Sequence, residues 1–578
     1  MNQSEDFRRR PPAPLPDRPL NLPAPIETTL SNGLQVVIVE DNRLPLVSFR
    51  LAFRAGDVND PKDLPGLMDT MASMLTEGTE SRTSRQLAEE VARLGATLSA
   101  TASADYTTVA ASALSIYTDQ ALDLMADVAL RPTFPEKELA LAVQNAEQAL
   151  IAQRGQASFL ANERISRVIY GDHPYAVISP TPQSLKAMTR DKMISFHRAV
   201  LAPNNAVLIA TGDVKRDVVM EKITELFGAW PKAEATQETR FPAPPVRSAR
   251  GLYLVDRPGS AQSNIVIANL GLTRTSPDYF PMLVMHTILG ANPSSRLFMN
   301  LRESKGYTYG AYSNLDARRD AGMFRQTAEV RTPVTGDSLK EFFYELERIR
   351  AEPVSDKEMQ DAKSFLTGVF PIRLETQEGL IDQLVQIKMY DLPADYLQTY
   401  RDRVNAVTKE DVQRVARRYI APDQAAIVIV GDAAAIMDQV KSYATEIEIY
   451  DSEGRRKELD ATPSAAESAA AAKAAGLLGA WSIQIETPAG QPLSATLTMR
   501  DDGGQLSGTV ETQMGQAQMS HVAVSGAEFS ASLIFTMQGQ SVEGTAAGHV
   551  ETNRITGTIT LSIPNAPPFK FSGARKQD

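Results

Sequence analysis

Cysteine is absent from the 578 residues, and the five histidines, His173, His197, His286, His521 and His549, include no pair four positions apart. That excludes disulfides, thiol catalysis and cysteine-ligated metal. It also excludes the helix face on which two imidazoles at i and i+4 hold a metal ion. The net charge of −11 argues against a phosphate-neutralising surface, and hence against nucleic acid as the main partner. Hydrophobic residues at 43% and charged residues at 22% are an ordinary globular mix. No run of about eighteen apolar residues exists, so no transmembrane segment is expected.

Any chemistry here has to be positioned by a duplicated scaffold. "MTRDKMISFHRAVLAPNNAVLIATGDV" from Met188 and "VTKEDVQRVARRYIAPDQAAIVIVGDA" from Val407 align without a gap, always 219 positions apart. Thr189 pairs with Thr408, Pro203 with Pro422, and Gly212-Asp213 with Gly431-Asp432. Each copy reads as a helix, a short turn at "AP" and a buried strand ending at "GD". The starts correspond too: "PLVSFRLAFRAG" ends at Gly56 and "SAQSNIVIANLG" at Gly271. Two tandem α+β domains are expected, at 27–235 and 236–451.

The flanks differ in composition. Residues 1–26 are proline-dense and read as an extended arm without an apolar signal region. Such an arm is expected to follow a removed signal sequence, with Met1 added afterwards. With the missing cysteines this points to a periplasmic or secreted chain, the alternative being cytoplasmic. Residues 452–478 are charged and then Ala/Ser-rich, read as a linker with at most transient helix. From Gly479 the pattern turns to short alternating runs such as "WSIQIET", "SATLTMR" and "RITGTITLSI", separated by turns. Only 13 of the last hundred residues are charged. Residues 479–578 are predicted to form an up-and-down antiparallel barrel or sandwich of about eight strands. Its interior is either filled by side chains, as a docking module, or open at the mouth for a small ligand.

Two stretches then carry a resemblance. "GLMDTMASMLTEGT" at Gly66–Thr79 is predicted to be a helix ending at Gly78, with Leu67, Met71, Met74 and Leu75 on one apolar face. Together with the tandem domains and "YGDHPYAV" at Tyr170–Val177, it resembles the pitrilysin/insulinase family, in its processing-peptidase-like branch. The resemblance covers residues 27 to about 445. It implies two homologous α/β-sandwich domains, here followed by an all-β barrel-like domain.

In active members that helix carries H-x-x-E-H, two zinc-binding histidines around a catalytic glutamate, with a third ligand on a later helix. Aligned on the family pattern, the histidine positions hold Asp69 and Ser73, the base position holds Ala72, and the third-ligand position holds Ala149. Glu147 is two positions off, about 200° round a helix. These four positions form a degenerate zinc site, and no metal or other cofactor is expected in this chain.

The second domain keeps its signature. "ILGANPSSRLFMNLRESKGYTYGAYSNLDARRDAGMFR" from Ile288 matches the family's C-terminal-domain pattern as a helix, a turn at Lys305-Gly306 and a strand. The resemblance assigns to Arg302 and Tyr309 the pair that holds the scissile carbonyl and steadies the oxyanion. A guanidinium and a phenol are fixed donors suited to that charge. Glu303 and Lys305 read as solvated helix-end charges, and Ser294, Ser295 and Arg296 as residues that cap and position the helix.

A chain without zinc ligands but with the pair resembles the non-catalytic subunit of the family's heterodimeric peptidases. The implied partner is a homologous catalytic subunit with an intact H-x-x-E-H, which carries the zinc, and the implied substrate is a peptide in a shared chamber. The alternative is a catalytically dead scaffold in a larger complex, with the barrel as a docking or small-ligand module.

Overall fold

A computed structural model describes residues 22–233, 241–457, 465–486, 492–502, 505–513, 515–537, 540–561 and 568–576. Most of the expected N-terminal arm, and 458–464 of the expected linker, lie outside the described residues. The chain divides into two compact units, one of residues 1–252, 264–330 and 337–428, the other of 253–263, 331–336 and 429–578. Among the described residues no helix is long and apolar enough to cross a membrane.

The first repeat builds a six-stranded sheet from β1 (Ile26–Thr29), β2 (Gln35–Glu40), β3 (Leu46–Phe53), β4 (Thr97–Ala102), β5 (Thr107–Leu114) and β6 (Ala206–Gly212). Their order is β1-β2-β6-β3-β5-β4. The run "AVLIATG" makes β6 buried at every position, as a central strand covered on both faces requires. β6 pairs parallel with β2 and antiparallel with β3.

The second repeat supplies β7 (Gly251–Asp256), β8 (Gln262–Leu270), β9 (Thr308–Asp316), β10 (Met323–Arg331), β11 (Ala426–Gly431), β12 (Glu446–Tyr450) and β13 (Arg456–Lys457). In their order, β13-β12-β7-β11-β8-β10-β9, the edge beyond β7 is built from β12 and β13 at the end of the repeat, while β7, β11, β8, β10 and β9 repeat the first sheet in the places of β2, β6, β3, β5 and β4. The duplicated sequence explains why. Helices Arg190–Val200 and Lys409–Tyr419 both start on a threonine whose side chain accepts a backbone N–H, Thr189 from Lys192 and Thr408 from Asp411. Each then leads through a short 3-10 turn, Pro203–Asn205 or Pro422–Gln424, into the central strand.

Within the first unit the two repeats are joined by polar contacts that periodicity does not reveal. Arg54 forms a forked pair with Asp391 at 2.8 and 2.9 Å. Arg50 pairs with Glu378, which also accepts from the Ser48 hydroxyl at 2.7 Å. Asp105, 4% exposed, accepts from the Tyr175 hydroxyl, the Arg319 backbone N–H at 3.0 Å and the Tyr390 hydroxyl at 3.0 Å.

Residues Gly479–Arg575 form a closed barrel of eight strands in sequence order: β14 (Gly479–Ile485), β15 (Leu493–Asp502), β16 (Gln505–Thr512), β17 (Gly515–Ser525), β18 (Glu528–Met537), β19 (Gln540–Glu551), β20 (Arg554–Leu561) and β21 (Phe569–Arg575). β14 closes on β21. Alternate side chains point inward, among them Trp481, Leu497, Met499, Met519, Phe529 and Phe571, and they form one buried cluster. Glycines make room for the large rings: a Cβ at Gly548 would lie 2.6 Å from the Phe529 ring, and one at Gly557 2.6 Å from that of Phe571. The barrel is thus packed with side chains, the first of the two interiors the sequence allows.

The segment read as linker contains helix Ala465–Ala474. Ala472 and Leu477 are fully buried in the same cluster, and the Trp481 indole donates to the Leu477 carbonyl at 2.9 Å. Alanine side chains are small enough to seat this helix on the barrel without an aliphatic stripe.

Candidate functional site

The helix expected over Gly66–Gly78 runs from Leu67 to Met74. It stops early because the chain beyond it is taken up in bridges, Gly78 to Thr83 and Thr79 to Pro132. Gly66 starts it at φ +85°, where a side chain would also run into Pro180. Leu67, Met71, Met74 and Leu75 are buried, as their spacing predicts.

The degenerate positions offer little to a metal. Ala72 is fully buried and has no proton to exchange. Ser73 is exposed and spends its hydroxyl on the Thr70 carbonyl at 2.8 Å. Ala149 lies exposed on helix Glu136–Arg154, and Glu147 of the same helix is half-buried. Asp69 is the one carboxylate left among the four, and partial desolvation pushes it up. Among the described residues no three His, Asp or Glu side chains are arranged to hold a metal ion. The residues present do not fit the family's zinc.

Two carboxylates beside this helix had no signature in the sequence. Asp60 accepts from the Gly66 and Met68 N–H groups, both at 2.7 Å, and fastens the helix start. Burial raises its pKa to about 6, against those same bonds. Asp57 rises to about 7, through burial first and then the charges of Asp60 and Asp69. Its Oδ1 is buried without a hydrogen-bond partner.

The "YGDHPYAV" segment is structural. Tyr170, His173 and Tyr175 are each at most 2% exposed. His173 Nδ1 accepts from the Tyr175 N–H at 3.1 Å, and the Tyr175 hydroxyl reaches Asp105. The Arg318 guanidinium lies 4.7 Å from the Tyr175 ring centroid.

Arg302 and Tyr309 stand on irregular backbone. The short helix Arg296–Phe298 widens into a π-helical turn, Met299–Ser304, that carries Arg302. The Lys305 N–H reaches back five residues to the Asn300 carbonyl at 3.0 Å. Gly306, at φ +65°, makes the expected turn into β9.

β9 is an edge strand, paired to β10 alone. Ala311 faces Ala328 while Thr308 faces Val330, so β9 spends three steps where β10 spends two. That extra residue is a bulge at Tyr309-Gly310. The Thr308 hydroxyl closes it, accepting from the Gly310 N–H at 3.1 Å and donating to the Gly310 carbonyl at 3.0 Å. Tyr309 is 90% exposed there. Arg302 is half-exposed, 4.9 Å above the Phe298 ring and 2.8 Å from Glu303. Both side chains are therefore open to a ligand.

The neighbouring charges are more engaged than the sequence suggests. Lys305 binds Glu341 at 2.9 Å, so it is not a free helix-end charge. Ser295 occupies the N-cap position without a side-chain capping bond, while Arg296 is buried in a forked pair with Glu358 at 2.6 and 3.1 Å. Arg296 therefore holds this helix through a partner 62 residues away.

Residues 35–178 match the model of the insulinase family, peptidase family M16, and residues 187–366 match the model of the peptidase M16 inactive domain. The chain is 23% identical over 409 residues to an uncharacterized zinc protease, YmxG, of Bacillus subtilis, covering 69% of this chain and 97% of that one. It is 21% identical over 379 residues to a non-peptidase homolog, YmxG, of Helicobacter pylori, covering 65% of this chain and 87% of that one. A crystal structure of a peptidase M16 inactive domain from Pseudomonas fluorescens superposes with a TM-score of 0.66 at 27% identity, over 70% of this chain and 97% of that one.

Proposed function

The chain belongs to peptidase family M16 through its paired domains, with an M16 domain of the inactive type, and we propose that it is the non-catalytic subunit of a heteromeric zinc peptidase. Its partner is a homologous chain with an intact H-x-x-E-H, which holds the zinc. This chain supplies Arg302 and Tyr309 to the substrate's scissile carbonyl. The observation that carries the reading is a contrast: the metal-binding positions hold Asp69, Ala72, Ser73 and Ala149, while the pair stands solvent-accessible on a π turn and a strand bulge.

The chemistry follows from the donors. As the carbonyl is attacked, negative charge builds on its oxygen, and a fixed guanidinium and phenol O–H donate to it without reorganising. For Arg302 to act, it exchanges its contact with Glu303, an exposed pair that costs little to break. β9 stands at the edge of its sheet, where an extended peptide can add as a strand beside Tyr309, between Gly310, tied to the Thr308 hydroxyl, and the Ser313 N–H, tied to the Gly290 carbonyl.

A second reading, a silent scaffold, is favoured by one observation. The Arg302 guanidinium is already occupied, between Glu303 and the Phe298 ring. Co-purification with a homologous H-x-x-E-H chain, followed by a peptidase assay with and without Arg302→Ala, separates the two. Loss of cleavage with the complex intact supports the split site, and unchanged cleavage supports the scaffold.

A further inference from the structure

Behind the turn that carries Arg302 lies a cavity of about 580 Å³, walled by the 296–304 segment and helices Thr335–Ala351 and Asp356–Leu374. Arg296 lines it with a side chain only 6% exposed. Two of its guanidinium nitrogens bind Glu358, and the third, Nη1, is buried with no hydrogen-bond partner. A buried donor left unmatched favours a ligand that brings an acceptor.

The charge balance says what kind of acceptor. Glu345, Glu358 and Asp361 line the cavity against Arg296 and Arg348, an excess of one negative charge. An anion is disfavoured there, whereas a neutral carbonyl oxygen is not. Glu345, 3% exposed, accepts from the Asn300 amide at 2.9 Å through one oxygen. Its other oxygen has only a 3.4 Å contact with Arg348. Burial raises the Glu345 carboxyl despite the Asn300 bond and the charges of Arg348 and Arg296, so a further cation at its second oxygen would favour the charged form. At the rim Met299 and Phe365 are 47% and 42% exposed, an apolar surface beside a buried acid.

We propose that this cavity binds a basic side chain of a peptide, arginine or lysine, with its head at Glu345, its stem along Phe365 and Met299, and a backbone carbonyl on Arg296 Nη1. Long basic side chains combine an apolar stem with a cationic head, and this cavity offers surfaces to both. The proposal rests on the peptide-handling reading for its biological sense, but the binding itself requires neither a partner nor turnover. Met299, Asn300 and Ser304 line the cavity from the turn that carries Arg302, so the site lies back to back with the pair.

The test is a calorimetric titration of the full chain with N-acetyl-arginine methylamide, N-acetyl-norleucine methylamide and N-acetyl-glutamate methylamide. It is repeated on Glu345→Gln and Phe365→Ala, with thermal melts to confirm that both variants fold. Phe365 is a rim residue, 42% exposed, so this variant remains informative if Glu345→Gln misfolds. The expected result is at least tenfold preference for the arginine amide over the other two, reduced at least tenfold in each folded variant. Equal binding of the arginine and norleucine amides, preference for the glutamate amide, no saturable binding, or variants that bind like the parent chain would each overturn the proposal. Because the titration reads binding without cleavage, its failure leaves the split-site reading standing, and a failed cleavage assay leaves this site standing.

Discussion

Arg302 and Tyr309 lie seven positions apart on two different departures from regular backbone, a π-helical turn and a bulge in an edge strand. Each device re-aims one side chain: the wide turn shifts the helix phase at Arg302, and the bulge turns Tyr309 out to 90% exposure. Regular elements would be cheaper, so their coincidence at these two residues is the strongest structural support for a role of the pair.

Removing a donor while keeping its backbone device should therefore separate chemistry from position. Tyr309→Phe keeps the bulge and removes only the hydroxyl, and it should lower the activity of an assembled complex by about 10–10³-fold with binding of the partner unchanged. Steady-state kinetics on a quenched peptide checks this, with a loss in kcat rather than in KM.

The isolated chain should hold no stoichiometric zinc, because Ala72, Ser73 and Ala149 provide neither base nor adequate ligands around Asp69. Elemental analysis after dialysis measures it. One tightly held zinc per chain would contradict the reading of the site.

Asp57 and Asp60 give stability a definite pH dependence. Their carboxyls titrate near 7 and 6 in the folded chain, against about 3.9 unfolded. Between pH 4 and pH 7 the unfolded chain gives up protons that the folded chain retains, so stability falls as pH rises through that window. Asp57→Asn removes the cost of the buried charge. Its melting temperature should exceed that of the parent chain at pH 8, by about 1 °C for each kcal/mol recovered in a unit of this size, and match it at pH 4.

Asp105 joins the two repeats through three donors, and losing one leaves a buried carboxylate underpaired. Tyr175→Phe should destabilise the chain by about 1.5–3 kcal/mol in denaturant unfolding. Tyr390→Phe should cost less alone, and the double variant should be non-additive, since both hydroxyls serve one carboxylate.

The barrel provides a packing test. Gly548→Ala drives a methyl into the Phe529 ring and the Thr556 carbonyl, both 2.6 Å from the new Cβ, and should cost about 1–3 kcal/mol. Fluorescence of the buried Trp481 during unfolding reports it.

How much of this was legible in the sequence depends on the range of the interactions. The gapless 219-residue offset made the duplication itself legible, because each copy carries its own cap, turn and central strand, but the strand order does not follow from it. The period-2 pattern after Gly479 predicted about eight antiparallel strands for the same local reason, leaving barrel and sandwich open, and did not show that helix Ala465–Ala474 seats on them. The end of the first-domain helix at Met74 was missed, since bridges to Thr83 and Pro132 settle it. Asp105, and the Arg296–Glu358 pair across 62 residues, leave no periodic trace, and neither does the π turn or the bulge. Long-range polar pairing and single-residue irregularities are what a local pattern cannot encode.

In the proposed split site this chain lends Arg302 to a zinc centre on a homologous partner. The most direct measurement is peptide cleavage by the chain alone, by an H-x-x-E-H homologue from the same source alone, and by the two together with zinc, each with and without Arg302→Ala. A split site requires silence from either chain alone, zinc-dependent cleavage from the pair, and a drop of about 10²-fold or more with Arg302→Ala in an intact complex. Full activity of the Arg302→Ala complex, or a stable complex that cleaves nothing, would contradict it.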